Sequence, residues 1–203
     1  MHKKIAVLVT YDFEDAEYAE PVEAFRAARH SIINLESQAG KIIYGKKRKA
    51  FVTIDQSIDD ASVHDFDALL IPGGFSPDNL CQDERYILFV RHFANTQKPI
   101  LCSADAPQIL MHAGVVKGRR MTCIHHLHQD LKDAGAVLYD TGVVNDNNLY
   151  ISSQTQYDLP AFIQESLLVL NRYKRAYLRL FYACLYQHLR LSAQVSYARQ
   201  FLS

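Results

Sequence analysis

PILCSADAPQIL, residues 99–110, reads as a short apolar strand, a tight turn at Ala104–Ala106 and then a helix. Pro107 falls in the first helical turn, where its fixed φ suits the helix and its missing N–H has no partner to lose. A helix start gathers backbone N–H groups and stabilises an anion, so many enzymes carry a nucleophile on such a strand-to-helix turn. Here the tip residue is Ala104, followed by Asp105 and Ala106. The turn has the frame of a catalytic elbow with a methyl group at its tip.

The segments on either side repeat the strand-and-helix alternation. KIAVLVT (residues 4–10) and DALLI (67–71) are unbroken apolar runs, as expected of strands buried on both faces of a parallel sheet. EDAEYAEPVEAFRAARH (14–30) places Ala16, Ala19, Val22 and Phe25 at helical spacing, with Pro21 expected to kink it or mark a restart. SIINLE (31–36) returns as a strand. IIYG and FVTI, within residues 41–55, read as a hairpin. Helices are expected over 83–96, 107–113, 128–134 and 159–170, and a strand over 149–152. Such alternation implies right-handed βαβ units and helices on both faces of the sheet.

At 203 residues, one domain with a real core is the default. Apolar content is 49%, charged content 22% and formal net charge zero, so overall charge makes no case for nucleic acid. Four dispersed cysteines (Cys81, Cys102, Cys123, Cys184) form no CxxC pair, which suits a reducing compartment better than a disulfide framework. The apolar run near the N-terminus meets acidic residues at once and reads as a strand, not a signal peptide. No run approaches the roughly 20 apolar residues of a membrane span. A cytoplasmic protein is expected. Residues 172–203 differ from the rest: six basic residues, no acidic one and five of the twelve tyrosines. Leu178, Phe181, Leu185 and Leu189 there fall at helical spacing, so a basic, Tyr-rich helical extension is expected after a domain over 1–171.

Four segments, taken in order, resemble the PfpI/ThiJ superfamily, whose fold is like that of class I glutamine amidotransferases. They are KIAVLVTYDFEDAEYAEPVEAFRAARH, FDALLIPGGFSPDNL, QKPILCSADAPQILMHAGVVKGRRMT and DLKDAGAVLYDTGVVNDNNLYISS. The resemblance spans roughly residues 3–171. It implies a flavodoxin-like three-layer α/β sandwich with a mainly parallel central sheet. It also implies a site made of a turn cysteine, a glutamate from the first turn, and backbone N–H groups of a Gly-Gly oxyanion turn. Counted from Lys98-Pro99, the nucleophile position falls on Ala104, the usual histidine on Asp105 and the usual glycine on Ala106. Glu17 matches the family glutamate, and Gly73 and Gly74 match the oxyanion turn; Glu14 and Asp15 suit the helix start.

A methyl group cannot attack a carbonyl, whereas a thiolate at a helix start can. Asp105 suits a capping role there, and Ala106 is strained if the turn needs φ > 0 at that position. Cys102 lies two residues before the tip, still in the strand, where a cysteine usually packs as a small hydrophobe. Cys123, His125, His126 and His128 are metal-capable, but strand parity opposes His126 to Cys123 and His125. No metal and no cofactor are expected, and Cys102, Cys123, His125 and His126 stand as pocket candidates. The reading that follows is a catalytically degenerate, stress-related member that binds a small molecule or partner through the family pocket. The alternative is a peptidase, amidase, glyoxalase or deglycase using a displaced thiol (Cys102 or Cys123) or a metal. The resemblance implies a homo-oligomer, dimer or higher; zero net charge points to no nucleic-acid partner, and no membrane span is expected.

Overall fold

Buried apolar runs build the sheet that positions everything else. The computed structural model describes residues 2–171; the expected extension over 172–203 lies outside the described residues. Strand β1 (Lys4–Leu8) leads to helix α1 (Asp15–Ala27) and β2 (Ser31–Glu36). The hairpin strands β3 (Ile42–Tyr44) and β4 (Phe51–Thr53) precede β5 (Gln56–Ser57) and β6 (Ala68–Ile71). Next come α2 (Ser76–Leu80), α3 (Glu84–Asn95), β7 (Ile100–Ser103) and α4 (Pro107–His112). Then follow β8 (Arg120–Met121), α5 (His128–Asp133), β9 (Val137–Leu138), β10 (Val143–Asp146), β11 (Tyr150–Ser153) and a helix α6 over 159–171.

The main sheet has seven strands in the order β10-β11-β7-β6-β1-β2-β5. Every pair in it is parallel except β10 with β11. Parallel strands buried on both sides need apolar residues at every position, and all four residues of β6 and of β7 are buried. One face packs Leu69, Ile71 and Ile100 against Phe89, Phe93 and Leu110 of α3 and α4. The other packs Leu70, Leu101 and Ile151 against Phe25 of α1 and Leu159 and Phe162 of α6. This is the expected three-layer flavodoxin-like α/β sandwich. No helix among the described residues is long and apolar enough to cross a membrane.

Helix α1 runs unbroken through Pro21, so the expected restart is absent. Glu14 and Asp15 do not cap it either. Glu14 is the N-cap residue without a side-chain cap bond, and its carboxylate pairs with Lys47 Nζ at 2.8 Å. The Asp15 carboxylate reaches across to the β3–β4 turn and accepts the backbone N–H groups of Lys47 (2.8 Å), Lys49 (2.7 Å) and Ala50 (2.7 Å). The turn offers three donors that no strand pairing uses, and a buried carboxylate satisfies them better than a helix cap that needs only one. Gly45 leaves the room: a Cβ there would lie 2.6 Å from the Asp15 carboxyl. Burial pushes the Asp15 carboxyl up, but these N–H groups outweigh it and hold it below the ordinary carboxylate value.

Replacing Asp15 with Ala is expected to lower stability by about 3 kcal/mol, the scale of several hydrogen bonds to one charged group. The same change should free the Lys46–Lys49 turn for tryptic cleavage under native conditions. Urea unfolding with limited proteolysis checks both; an unchanged cleavage pattern would show that the turn holds itself.

Candidate functional site

The chain changes direction across the sheet between β1 and β6. β1 feeds α1 on one face, while β6 feeds α2 and α3 on the other. Ligands of open α/β sheets bind outside the carboxyl ends of strands at such a switch point. Three loops converge there: the start of α1 with Glu17, the Gly73-Gly74 turn after β6, and the Ala104–Ala106 turn after β7.

Ala104 adopts φ +46°, in the left-handed region, which costs a residue with a Cβ about 1–2 kcal/mol. Backbone bonds enforce it: its N–H donates to Ser153 O at 3.0 Å, and its carbonyl accepts from Ile124 N at 3.0 Å. The strain expected at Ala106 is not there; Ala106 has φ −58° and is the N-cap of α4. Asp105 therefore stands one residue before the cap, a position that does not serve the helix N–H groups, and α4 has no side-chain cap. Its carboxylate accepts the N–H of Gly74 at 3.1 Å instead. Burial raises the Asp105 carboxyl above its ordinary value, against the Gly74 bond and the neighbouring His126 and Lys46.

Glu17 is 3% exposed. Its Oε2 accepts the Gly73 N–H at 2.9 Å and the Ser103 hydroxyl at 2.8 Å. Burial lifts its carboxyl from 4.5 to about 7, with the charges of Asp105 and Glu14 adding to the rise and the two hydrogen bonds opposing it. Gly73 permits the approach: a Cβ there would stand 2.5 Å from Glu17 Oε2 and 2.9 Å from Ser103 O. Gly74 has φ +82°, and a Cβ there would meet the backbone of Glu14 at 2.5 Å. Both N–H groups of the Gly-Gly turn are thus taken by carboxylates of the same chain.

Ser103 is the site residue that the sequence reading passed over. The available signal is parity: in β7, Leu101 and Ser103 face α1, while Ile100 and Cys102 face α3 and α4. That parity also decides Cys102, which is fully buried on the opposite face with its thiol 3.7 Å from Ile151 O. Burial pushes the Cys102 thiol far above its ordinary value, with Cys123 adding a little. Cys123 is buried too, and its thiol is pushed up to about 12 by burial and then by the Asp105 and Asp130 charges. The strand parity assumed around Cys123 fails, because residues His125–Leu127 form a 3₁₀ turn. His126 is brought to the site, with Nε2 3.5 Å from Asp105 Oδ1. His125 instead lies with its ring 4.9 Å from that of His128. Among the described residues no group of three or more His, Cys, Asp or Glu side chains gathers as a metal site. Two buried hydroxyls, Thr122 Oγ1 and Ser153 Oγ, have no hydrogen-bond partner among the described residues.

Comparison with known proteins agrees with this architecture. Residues 3–168 match the DJ-1/PfpI family. The chain is 48% identical over 171 residues to protein/nucleic acid deglycase 2 of Escherichia coli, covering 84% of this chain and 99% of that protein. It is 45% identical over 172 residues to general stress protein 18 of Bacillus subtilis, covering 85% of this chain and 100% of that protein. A solved cysteine-to-alanine mutant of a DJ-1 superfamily protein from Salmonella typhimurium superposes with a TM-score of 0.71 at 25% identity. That match covers 86% of this chain and 98% of the other.

Between pH 4.5 and about 7 the folded state holds on Glu17 a proton that the unfolded chain has released. Its contribution to stability is fully present below that window, falls as pH rises through it, and is flat above. The drop is on the order of 3 kcal/mol. Urea unfolding from about pH 5 to about pH 8 should show it in the wild type, and Glu17→Gln should flatten it. Equal slopes in the two proteins would remove Glu17 as the titrating group.

Proposed function

This chain belongs to the DJ-1/PfpI family, and from that premise we propose that it has given up thiol chemistry and keeps the elbow as a binding site. Ala104 stands where the family's nucleophile cysteine belongs, and Asp105 and Ala106 replace the usual histidine and glycine. One observation carries the reading. The oxyanion donors, the Gly73 and Gly74 N–H groups, are already bonded to Glu17 and Asp105. A carbonyl oxygen developing negative charge there would have to displace one carboxyl group while facing the other. Negative charge on Asp105, joined by Glu17 as pH rises past about 7, opposes the transition state that an oxyanion site exists to stabilise. The same groups favour a polar neutral or cationic small molecule, or a partner side chain of that kind.

The relatives named for deglycase and stress functions share 48% and 45% of the aligned residues, which supports a function of that kind for the family, and the residues of the site decide whether this chain keeps the chemistry. A displaced thiol is disfavoured on two grounds. Cys102 faces the wrong side of the sheet, and burial keeps both Cys102 and Cys123 protonated at neutral pH.

Purified wild type should consume no methylglyoxal and cleave no generic amide above background. Ala104→Cys alone should stay near background, because the groups of a catalytic unit act together and Asp105 still holds Gly74. Adding Asp105→His and Ala106→Gly to it should raise activity roughly tenfold or more above background by releasing Gly74. Saturable wild-type activity that Cys102→Ser or Cys123→Ser abolishes would overturn the reading.

A further inference from the structure

Helices α2 and α4 pack side by side, and polar side chains meet along their shared edge. Asp78 and Cys81, on α2 and its C-cap, are three residues apart; Gln108 and His112, on α4, are four apart, so each pair shares one helix face. The two faces meet in two rungs. Gln108 Nε2 donates to Asp78 Oδ1 at 2.8 Å, and Cys81 Sγ lies 3.5 Å from His112 Nδ1. On the same two helices Leu80, Ile109 and Leu110 are fully buried in the core, which fixes both backbones.

Cys81 is unlike Cys102 and Cys123, which are buried: it is half-buried and stands beside an exposed imidazole. Burial, and then the Asp78 charge, push its thiol up to about 11. It is no nucleophile at neutral pH, and it gives up its proton only to an ion that takes the proton's place. The spacing of the pair suits such an ion. Zinc bonds of about 2.3 Å to sulfur and about 2.0–2.1 Å to nitrogen, at the tetrahedral angle, set the two ligand atoms about 3.5 Å apart. His112 Nδ1 also lies 2.9 Å from Gln108 O, a contact within its own helix that the ring releases when its lone pair turns to a metal. The surroundings are negative as well. His112 lines a cavity of about 350 Å³ together with Asp130 and Asp133. Among the described residues neither of these carboxylates, nor that of Asp78, has a cation at ion-pair distance.

We propose that Cys81 Sγ and His112 Nδ1 bind a zinc-like divalent ion, with water completing its shell and Asp78 balancing its charge. Binding releases the thiol proton to solvent and forms a sulfur–metal bond in its place. Two protein ligands are fewer than the four of a closed structural site, so the ion exchanges with solution. Thiolate and imidazole favour zinc over magnesium and calcium, which take oxygen ligands. The pair stands at the opposite end of α4 from the Ala104–Ala106 turn, so it is a second site, separate from the elbow.

The test is titration of the metal-free, untagged full chain with cobalt(II), whose thiolate-to-metal charge-transfer band reports a sulfur ligand, followed by displacement with zinc. The band should saturate at one cobalt per chain, and zinc should abolish it. Cys81→Ser should remove the band. His112→Gln should weaken zinc binding by about tenfold or more, since even outer-shell partners of a metal are worth that much. Cys123→Ser and Cys184→Ser should each keep the band. Cys81 and His112 both reach solvent, so metal-free thermal melts of their variants should match the wild type. Absence of a band overturns the proposal. So do a band that survives Cys81→Ser, a band lost in Cys184→Ser, a zinc affinity unchanged in His112→Gln, or magnesium that displaces cobalt as well as zinc does.

Discussion

The carboxyl group of Glu17 holds three strand ends in one place. It stands at the start of α1, takes the Gly73 N–H from the turn after β6, and takes the Ser103 hydroxyl from the end of β7. All of this happens at 3% exposure, where an unsatisfied carboxylate would be costly and where a proton is held up to about pH 7. Gly73 must be glycine for the group to fit, and Ala104 is held in a strained conformation immediately after Ser103. The crevice at the switch point is therefore defined by a polar contact between loops, with the apolar sheet beneath supplying rigidity.

The central strands were legible because a parallel strand buried on both faces needs an unbroken apolar run, and β1, β6 and β7 each write one. The β10 edge strand was not, because its antiparallel, half-exposed pattern mixes Val with Asn and Asp. The two-residue strands β5, β8 and β9 and the five-residue helix α2 are too short to leave a periodic signal. At the site, Glu17, Gly73, Gly74 and Ala104 were singled out by the family resemblance of the segments that carry them, and the structure brings their loops together. Ser103 and Asp15 were missed because their roles are set by partners far along the chain. Ser103 meets Glu17 across 86 positions, and Asp15 meets the hairpin turn across more than 30. Local rules assign such residues to strand ends and helix starts, and tertiary structure overrides them.

Asp105 alters more than its own position. Its carboxylate takes the Gly74 N–H, and its negative charge also raises Glu17, although less than burial does. The donor nearest the switch point is thereby engaged by the chain itself, so a group entering between the two turns meets a carboxylate before it meets the Gly74 N–H.

Net charge says little about this surface because charge here is segregated. Zero overall hides a hairpin with five cations in nine residues, set beside carboxylates that are mostly engaged by backbone N–H groups or single lysines. Asp15 is the clearest case. It adds a negative charge to the composition, yet its carboxylate is spent on three peptide groups and its effect on the surface is to hold cations in place. A field at a surface depends on which charges remain uncompensated there. Arg48 and Lys49 remain so, on a turn fixed by Asp15, whereas Lys46 acts on the Asp105 carboxylate.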